Sequence, residues 1–538
     1  MMNRALPFHP CQLEILLKST FVAVAVSMVF STLAYAQLND VTQTPNTENV
    51  GIKKSLTGQV GAGRGDVMIP DSSLFIIKRD PFRSIVRGRQ LFQRKFTLTQ
   101  GLGPRTNDGI GNIETDVSHG AGLADSCAAC HGRPRGAAGF GGDVFTRPDS
   151  RDAPHLFGLG LVEMLGDEIT TKLRSIRDQA VAHAIACGQP TTRKLKAKGI
   201  KYGKITGHPD GSVDISLVKG VDGDLRVRPF FHEGSEFSIR GFAVGAFRAE
   251  MGLESPDPDL LAAATGGAVT TPSGLVLDGS KDTIGGPPVS TTIDDADGDG
   301  VTNEIDTSLV DHMEFYLLNY FKPAIGKQTA FSSQGRRKFK SVGCAECHVQ
   351  NLVIEHDRRV ADVDTVFDPV NGVFNNLFAT AIPKFDVNSD GSGFPDLKTP
   401  TGGIFVVKNI FADFKRHDLG PNFHERNFDG SIQKEFMTEP LWGVGTSGPY
   451  GHDGRSIDLR SVILRHGGEA SVSRNRFAAL SEINKLKIET FLRTLVIFGP
   501  PDTASTLDPA DPSNPTYPQR GHGSIDLSPL FNNPTDKE

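Results

Sequence analysis

Apolar positions recur with a helical period most clearly over residues 311–321 and 481–496. In the second stretch Ile483, Leu486, Ile488, Leu492 and Leu495 form one stripe, which predicts the packing face of a closing domain helix. Two basic stretches also read as helices: Arg87-Gly88-Arg89-Gln90-Leu91-Phe92 and Gly335-Arg336-Arg337-Lys338-Phe339. One apolar run, Phe21 to Phe30, stands apart. Arg4 and Lys18 precede it and Ala34-Tyr35-Ala36 follows, the pattern of a secretory signal peptide ending near Ala36. The run is short for a membrane span, so an uncleaved anchor is the lesser alternative. Residues 37–75, 265–292 and 360–404 are rich in Gly, Thr, Ser, Asn, Asp or Pro and carry no period. They predict an N-terminal arm and two long loops. After Gly499-Pro500 the chain is rich in Pro and Asp and predicts a surface-wrapping tail.

Composition narrows the class. The chain has 538 residues, 38% of them hydrophobic, enough for two or three domains with cores. A net charge of −6 argues against a nucleic-acid partner. No long apolar stretch follows the signal, so stable membrane insertion is not expected. The 59 Gly and 33 Pro predict long connections between helices. Six Cys are present. Cys11 leaves with the signal, four fall in one kind of motif, and only Cys187 remains. No structural disulfide is then possible, and Cys187 is expected as a small buried residue, with a reactive thiol as the alternative.

That motif is Cys127-Ala-Ala-Cys130-His131 and, again, Cys344-Ala-Glu-Cys347-His348. Both read C-x-x-C-H, the attachment signal for c-type haem. Two thiols two residues apart can add to the two vinyl groups of one haem, and the next His ligates its iron. A zinc ribbon would use two C-x-x-C pairs but has no need of His after each. The duplicated motif therefore predicts two covalently held c-type haems. Covalent haem is attached outside the cytoplasm in bacteria, so motif and signal peptide together predict a periplasmic protein.

The chain also repeats itself. His131 is followed by Pro229-Phe230-Phe231-His232-Glu233-Gly234 and Ile239-Arg240. His348 is followed by Pro449-Tyr450-Gly451-His452-Asp453-Gly454 and Leu459-Arg460. The haem His and the later His are 101 positions apart in one half and 104 in the other. Each haem motif follows one of the basic helices. The expected division is a signal peptide over 1–36, an arm over 37–80, haem domains over 81–325 and 326–500, and a tail over 501–538.

Asp295-Ala-Asp297-Gly-Asp299-Gly300, with Asp306 at the twelfth position, has the form of a calcium loop. A solvated acidic linker is the alternative. Asp386-Val-Asn388-Ser-Asp390-Gly391 is a weaker copy without the twelfth acid and is expected to be plain loop.

Over about residues 80–500 the sequence resembles the bacterial dihaem cytochrome c peroxidases, and more closely their relatives, the dihaem oxidoreductases. The stretches that carry the resemblance are Glu439-Pro-Leu-Trp-Gly-Val-Gly, Gly448-Pro-Tyr-Gly-His-Asp-Gly-Arg-Ser, Arg465-His-Gly-Gly-Glu-Ala470 and Arg416-His-Asp-Leu-Gly420. The resemblance implies an all-α fold of two tandem cytochrome c domains with long irregular loops and a calcium ion between them. It implies that peroxide binds at the first haem and that the second passes electrons to it. A small periplasmic cytochrome c or cupredoxin would be the donor and a small molecule the oxidant.

Residue by residue, the family's sixth ligand to the second haem lies fourteen positions after the His of P-Y-x-H-D-G, which here is His466 in place of Met. A bis-His haem favours ferric iron and a lower potential. The family's distal acid lies in E-M-G, matched by Glu250-Met251-Gly252. A carboxylate there can move the peroxide protons. His232 stands where the family has an electron-relaying Trp, so that catalytic position departs from the pattern; the one Trp is Trp442. His155 follows Pro154 in a stretch matching R-N-S-P-T and is expected to line the pocket or to be structural, with a distal ligand or acid-base group as the alternative. Asp152 falls at a family calcium ligand, with the carbonyls of Ser447 and Pro449 as its partners. Four functions fit: a peroxidase, an oxygen-using enzyme of the same superfamily, a pure electron-transfer cytochrome, and a sensor of diatomic gases. The sixth position of the first haem separates enzyme from electron carrier.

Overall fold

The computed structural model describes residues 52, 54–97, 100, 126, 127, 131, 153–287, 304–320, 322–360, 385–427 and 430–497, all within one unit that starts at Gly51. The signal peptide, the tail, Cys130, Asp152, Asp295, Asp297 and Asp299 lie outside the described residues.

Eleven α-helices occur among the described residues. They are α1 Leu56–Val60, α2 Ser73–Arg79, α3 Pro81–Gln93, α4 Leu159–Cys187, α5 Ile239–Met251, α6 Pro258–Ala264, α7 Thr307–Leu318, α8 Ala330–Ser341, α9 Leu459–Arg465, α10 Ser471–Ala478 and α11 Glu482–Leu492. The expectation of an all-α fold is not met. A three-stranded antiparallel sheet, β1 Thr191–Ala197, β2 Ile200–Gly207 and β3 Val213–Asp214, and six two-stranded sheets lie between the helices. β1 and β2 form a tight hairpin at Lys198-Gly199, both with positive φ, as such turns require. Most of the other strands are only two to four residues long, too short for an alternating pattern to stand out. Two stretches expected to be loops hold such hairpins: Ala268–Thr270 with Val276–Asp278, and Phe385–Asn388 with Leu397–Pro400. The end of the expected arm is instead α1 and α2, which bury Ile76 and Ile77.

The repeat is carried by helix pairs. α3 crosses α7, and α8 crosses α11. A Cβ on Gly88 would collide with the His312 carbonyl, and one on Gly335 with the Lys487 carbonyl, so a glycine lets each pair approach. One turn on, Phe92 meets Tyr316 edge-on at 5.8 Å and Phe339 meets Phe491 at 5.6 Å. An arginine ties each pair to a third helix. Arg240 of α5 holds Glu314 of α7 at 2.8 Å, and Arg460 of α9 holds Glu489 of α11 at 2.6 Å. The first pair is fully buried, with Asp257 and Asp311 also on the guanidinium at 2.7 and 2.9 Å; Arg460 is partly exposed. The carboxylates hold the Arg240 charge firmly against the cost of its burial.

The hydrophobic residues group accordingly. A large cluster contains α7, the first half of α4 and the inner faces of α3 and α5. A smaller one contains Phe339, Phe411, Leu459, Phe477, Ile488, Phe491, Leu492 and Leu495. Of the stripe expected on α11, Ile488 and Leu492 are buried, as is Leu495 just beyond it, whereas Ile483 and Leu486 are exposed. Cys187, expected to be buried, is exposed at the end of α4, 3.7 Å from His183 Nε2. Beyond Arg174 only Ala180 and Ala184 of α4 are buried, and its last residues are exposed to solvent.

Candidate functional site

Both C-x-x-C-H histidines are held in the same way. His131 Nδ1 donates to the Pro154 carbonyl at 2.7 Å, and His348 Nδ1 donates to the Phe411 carbonyl at 2.9 Å. A carbonyl only accepts, so the proton is on Nδ1 and the lone pair on Nε2, the tautomer an iron ligand needs. Burial lowers the basicity of His348, against the pull of the Phe411 carbonyl.

At the second site a short 3-10 turn, Cys344–Glu346, opens the motif directly after α8. Cys344 is deeply placed, and burial pushes its thiol up to about 12. His466 follows the last residue of α9, and its Nδ1 donates to the Val462 carbonyl at 2.7 Å. That is the third imidazole with the same tautomer. Burial brings His466 down to about 4, with His348 and Arg465 adding to the shift through space against the Val462 bond. The Phe423 ring stands edge-on to it at 5.2 Å.

Two of the segments that carry the family resemblance pack on each other and fix this loop. Gly467 N–H donates to the Leu419 carbonyl at 2.8 Å. His417 bridges Asp413 and Glu469, each at 2.9 Å. Burial opposes its charge, but the bonds to Asp413 and Cys347 prevail and push it up to about 10. Cys347, Asp413 and His417 have their donor atoms within 4.8 Å of one another. These three residues form a polar cluster beside the second C-x-x-C-H motif.

At the first site Cys127 Sγ lies 3.9 Å from Met251 Sδ. Met251 is the last residue of α5, so the helix end that carries Glu250 reaches the first motif. Glu250 is half-buried there. Asp306, the described member of the calcium loop, caps α7 through a 2.8 Å bond from Ser308 N–H. Asp390, from the weaker copy, pairs with buried Arg79.

The two later motif loops meet. Each closes on a β-bridge, Phe230 with Glu236 and Tyr450 with Ser456. His232 and His452 lie 5.9 Å apart, ring to ring. His232 Nδ1 is 2.9 Å from Glu439 Oε1, and His452 Nε2 is 3.0 Å from Glu425 Oε2. His452 also stacks on Phe436, with centroids 4.1 Å apart and planes 16° from parallel. Burial depresses the basicity of His452 despite Glu425.

The residues offered thus fit haem at both sites: imidazole Nε2 atoms with fixed tautomers beside cysteines. The sequence singled out His131, His348 and His466 but not the carbonyls of Pro154, Phe411 and Val462 that hold them, since any residue supplies one. Glu425 and the His417 cluster were also missed, although Arg416-His-Asp-Leu-Gly420 pointed towards the latter.

Residues 403–495 match the family described as "Di-haem oxidoreductase, putative peroxidase". The match includes His466, His417 and the His452 loop but neither haem motif. It supports, at the coarse level, an oxidoreductase with two haems. No curated protein matches the chain. Among solved structures, a hydrazine synthase of Kuenenia stuttgartiensis pressurised with xenon is similar at 15% identity. The match covers 36% of this chain and 57% of that one, with a TM-score of 0.22. Among the described residues, no helix is long and apolar enough to cross a membrane.

Proposed function

We propose that this chain is a periplasmic dihaem c-type oxidoreductase that reduces peroxide at the first haem with electrons passed through the second. Its haem domains would span 81–325 and 326–500, following a cleaved signal peptide. The observation that supports this reading is the difference between the sites. The second sets two imidazoles, His348 and His466, near each other with matching tautomers. The first combines one such imidazole, His131, with a helix end bearing a carboxylate, Glu250.

In this reading Cys127 and Cys130 bind one haem and Cys344 and Cys347 the other, and the haems supply the electrons and the site of O–O cleavage. The protein's part is to handle protons. Peroxide needs two electrons and two protons to become two waters. Glu250 takes the proton from one peroxide oxygen and returns it to the oxygen that leaves. His131 is held by Pro154 so that its orientation does not change during turnover. A small cytochrome c or cupredoxin supplies the electrons. Calcium, if bound, takes Asp306 with Asp295, Asp297 and Asp299, and Asp152 at the family position.

The test is steady-state oxidation of a reduced small cytochrome c by hydrogen peroxide, with haem staining of denatured protein. Peroxide-dependent turnover by a chain that keeps two haems after denaturation is expected. Two haems with no peroxide reaction, but with dioxygen bound on reduction, would replace this reading by that of an oxygen-using enzyme.

A further inference from the structure

Four hydrogen bonds join the two proximal histidines through one continuous path. His131 Nδ1–H donates to the Pro154 carbonyl at 2.7 Å. The next residue, His155, donates from Nε2 to the Trp442 carbonyl at 3.0 Å. The residue before Trp442, Leu441, donates its N–H to the Ile410 carbonyl at 2.9 Å. The residue after Ile410, Phe411, accepts from His348 Nδ1 at 2.9 Å. Between these bonds the path runs through covalent bonds of the peptide chain and the His155 side chain.

His155 is the one side chain in this path apart from the ligands themselves. It is partly buried, and that burial lowers its basicity against the pull of the Trp442 carbonyl. Among the described residues its Nδ1 has no hydrogen-bond partner, so the Nε2 bond is the ring's polar anchor, with Phe157 edge-on to it at 5.9 Å. The approach depends on Gly443, whose φ is +80° and whose Cβ, if present, would lie 2.5 Å from His155 Nε2. A side chain there would push the imidazole off the carbonyl.

We infer that His155 is a positioning residue for electron transfer, closing a bonded route from the second haem to the first through the Trp442–Leu441 and Ile410–Phe411 segments. Electronic coupling falls less steeply through covalent and hydrogen bonds than across van der Waals gaps. One electron leaves the second iron, which is oxidised, and reaches the first, which is reduced. No atom moves, and the protons stay on Nδ1 of His131 and His348 and on Nε2 of His155. His232, bonded to Glu439 at 2.9 Å, is not one of the residues of this path.

The inference rests on the two-haem reading and is tested by readouts other than turnover. The loaded protein is reduced rapidly, and equilibration of the electron between the haems is followed by absorption. Paramagnetic resonance and midpoint potentials serve as controls. H155L should slow equilibration severalfold with both haem spectra and potentials unchanged. H155Q, whose amide can donate to the Trp442 carbonyl, should recover most of the rate. If H155L does not fold, H155N, too short to reach that carbonyl, should show the same slowing. Parent-like rates in H155L or H155N with intact spectra would overturn the route, as would H155Q being as slow as they are. Fast equilibration in a protein inert to peroxide would sink the proposed peroxidase function and leave the route standing.

Discussion

His466 lies close enough to His348 for the charge of one to weigh on the protonation of the other. Each imidazole gives its Nδ1 proton to a backbone carbonyl, His466 to Val462 and His348 to Phe411. One carbonyl belongs to α9 and the other to the segment after Val407, so different parts of the chain set two rings in the same tautomer.

The second haem is therefore expected to be low-spin with two imidazole ligands. H466A should convert one low-spin haem to high spin by paramagnetic resonance. H466M should keep it low-spin and raise its midpoint potential, because thioether favours ferrous iron relative to imidazole. An unchanged spectrum in H466A would remove His466 from the iron.

Glu250 is expected to carry protons at the first haem. Loss of a positioned proton carrier costs about 10²–10⁴-fold in rate. E250Q should slow the reaction with peroxide within that range in stopped-flow measurements and leave both haem spectra intact. A parent-like rate would make Glu250 an ordinary helix charge.

Gly335 marks where α8 and α11 touch backbone to backbone. G335A forces the helices apart at the base of the second haem motif and should cost about 1–3 kcal/mol or more, as overpacking does. Denaturant unfolding measures it. The adjacent site should loosen too, seen as partial loss of the low-spin signal, whereas G245A, whose Cβ meets nothing within 4 Å, should do neither.

Arg240 and Arg460 occupy corresponding positions but different surroundings. R240L removes the cation shared by buried Asp257, Asp311 and Glu314, leaving only Arg64 on Asp311 at 3.6 Å, and should cost about 3–5 kcal/mol. R460L removes a partly exposed pair and should cost far less, since solvent screens it. Equal losses in the two variants would mean that the buried cluster has another source of compensation.

Much was legible from the chain alone. The helices before each C-x-x-C-H motif, the helical periods that became α7 and α11, and the correspondence of His232 with His452 as repeat positions were all read from spacing along the chain. Spacing survives in a linear sequence because helix geometry and the reach of two thiols are local properties. The six two-stranded sheets were not legible, because strands of two to four residues hold a pattern too brief to distinguish from loop. Nor was the exposure of Ile483, Leu486 and Cys187, since an apolar position says nothing of whether another element arrives to cover it. Tertiary structure alone decided which carbonyl fixes each imidazole, because every residue offers one and only folding selects Pro154, Phe411 and Val462. It likewise brought His155 to Trp442 across 287 positions of sequence, where Gly443 leaves the room that any side chain would have filled.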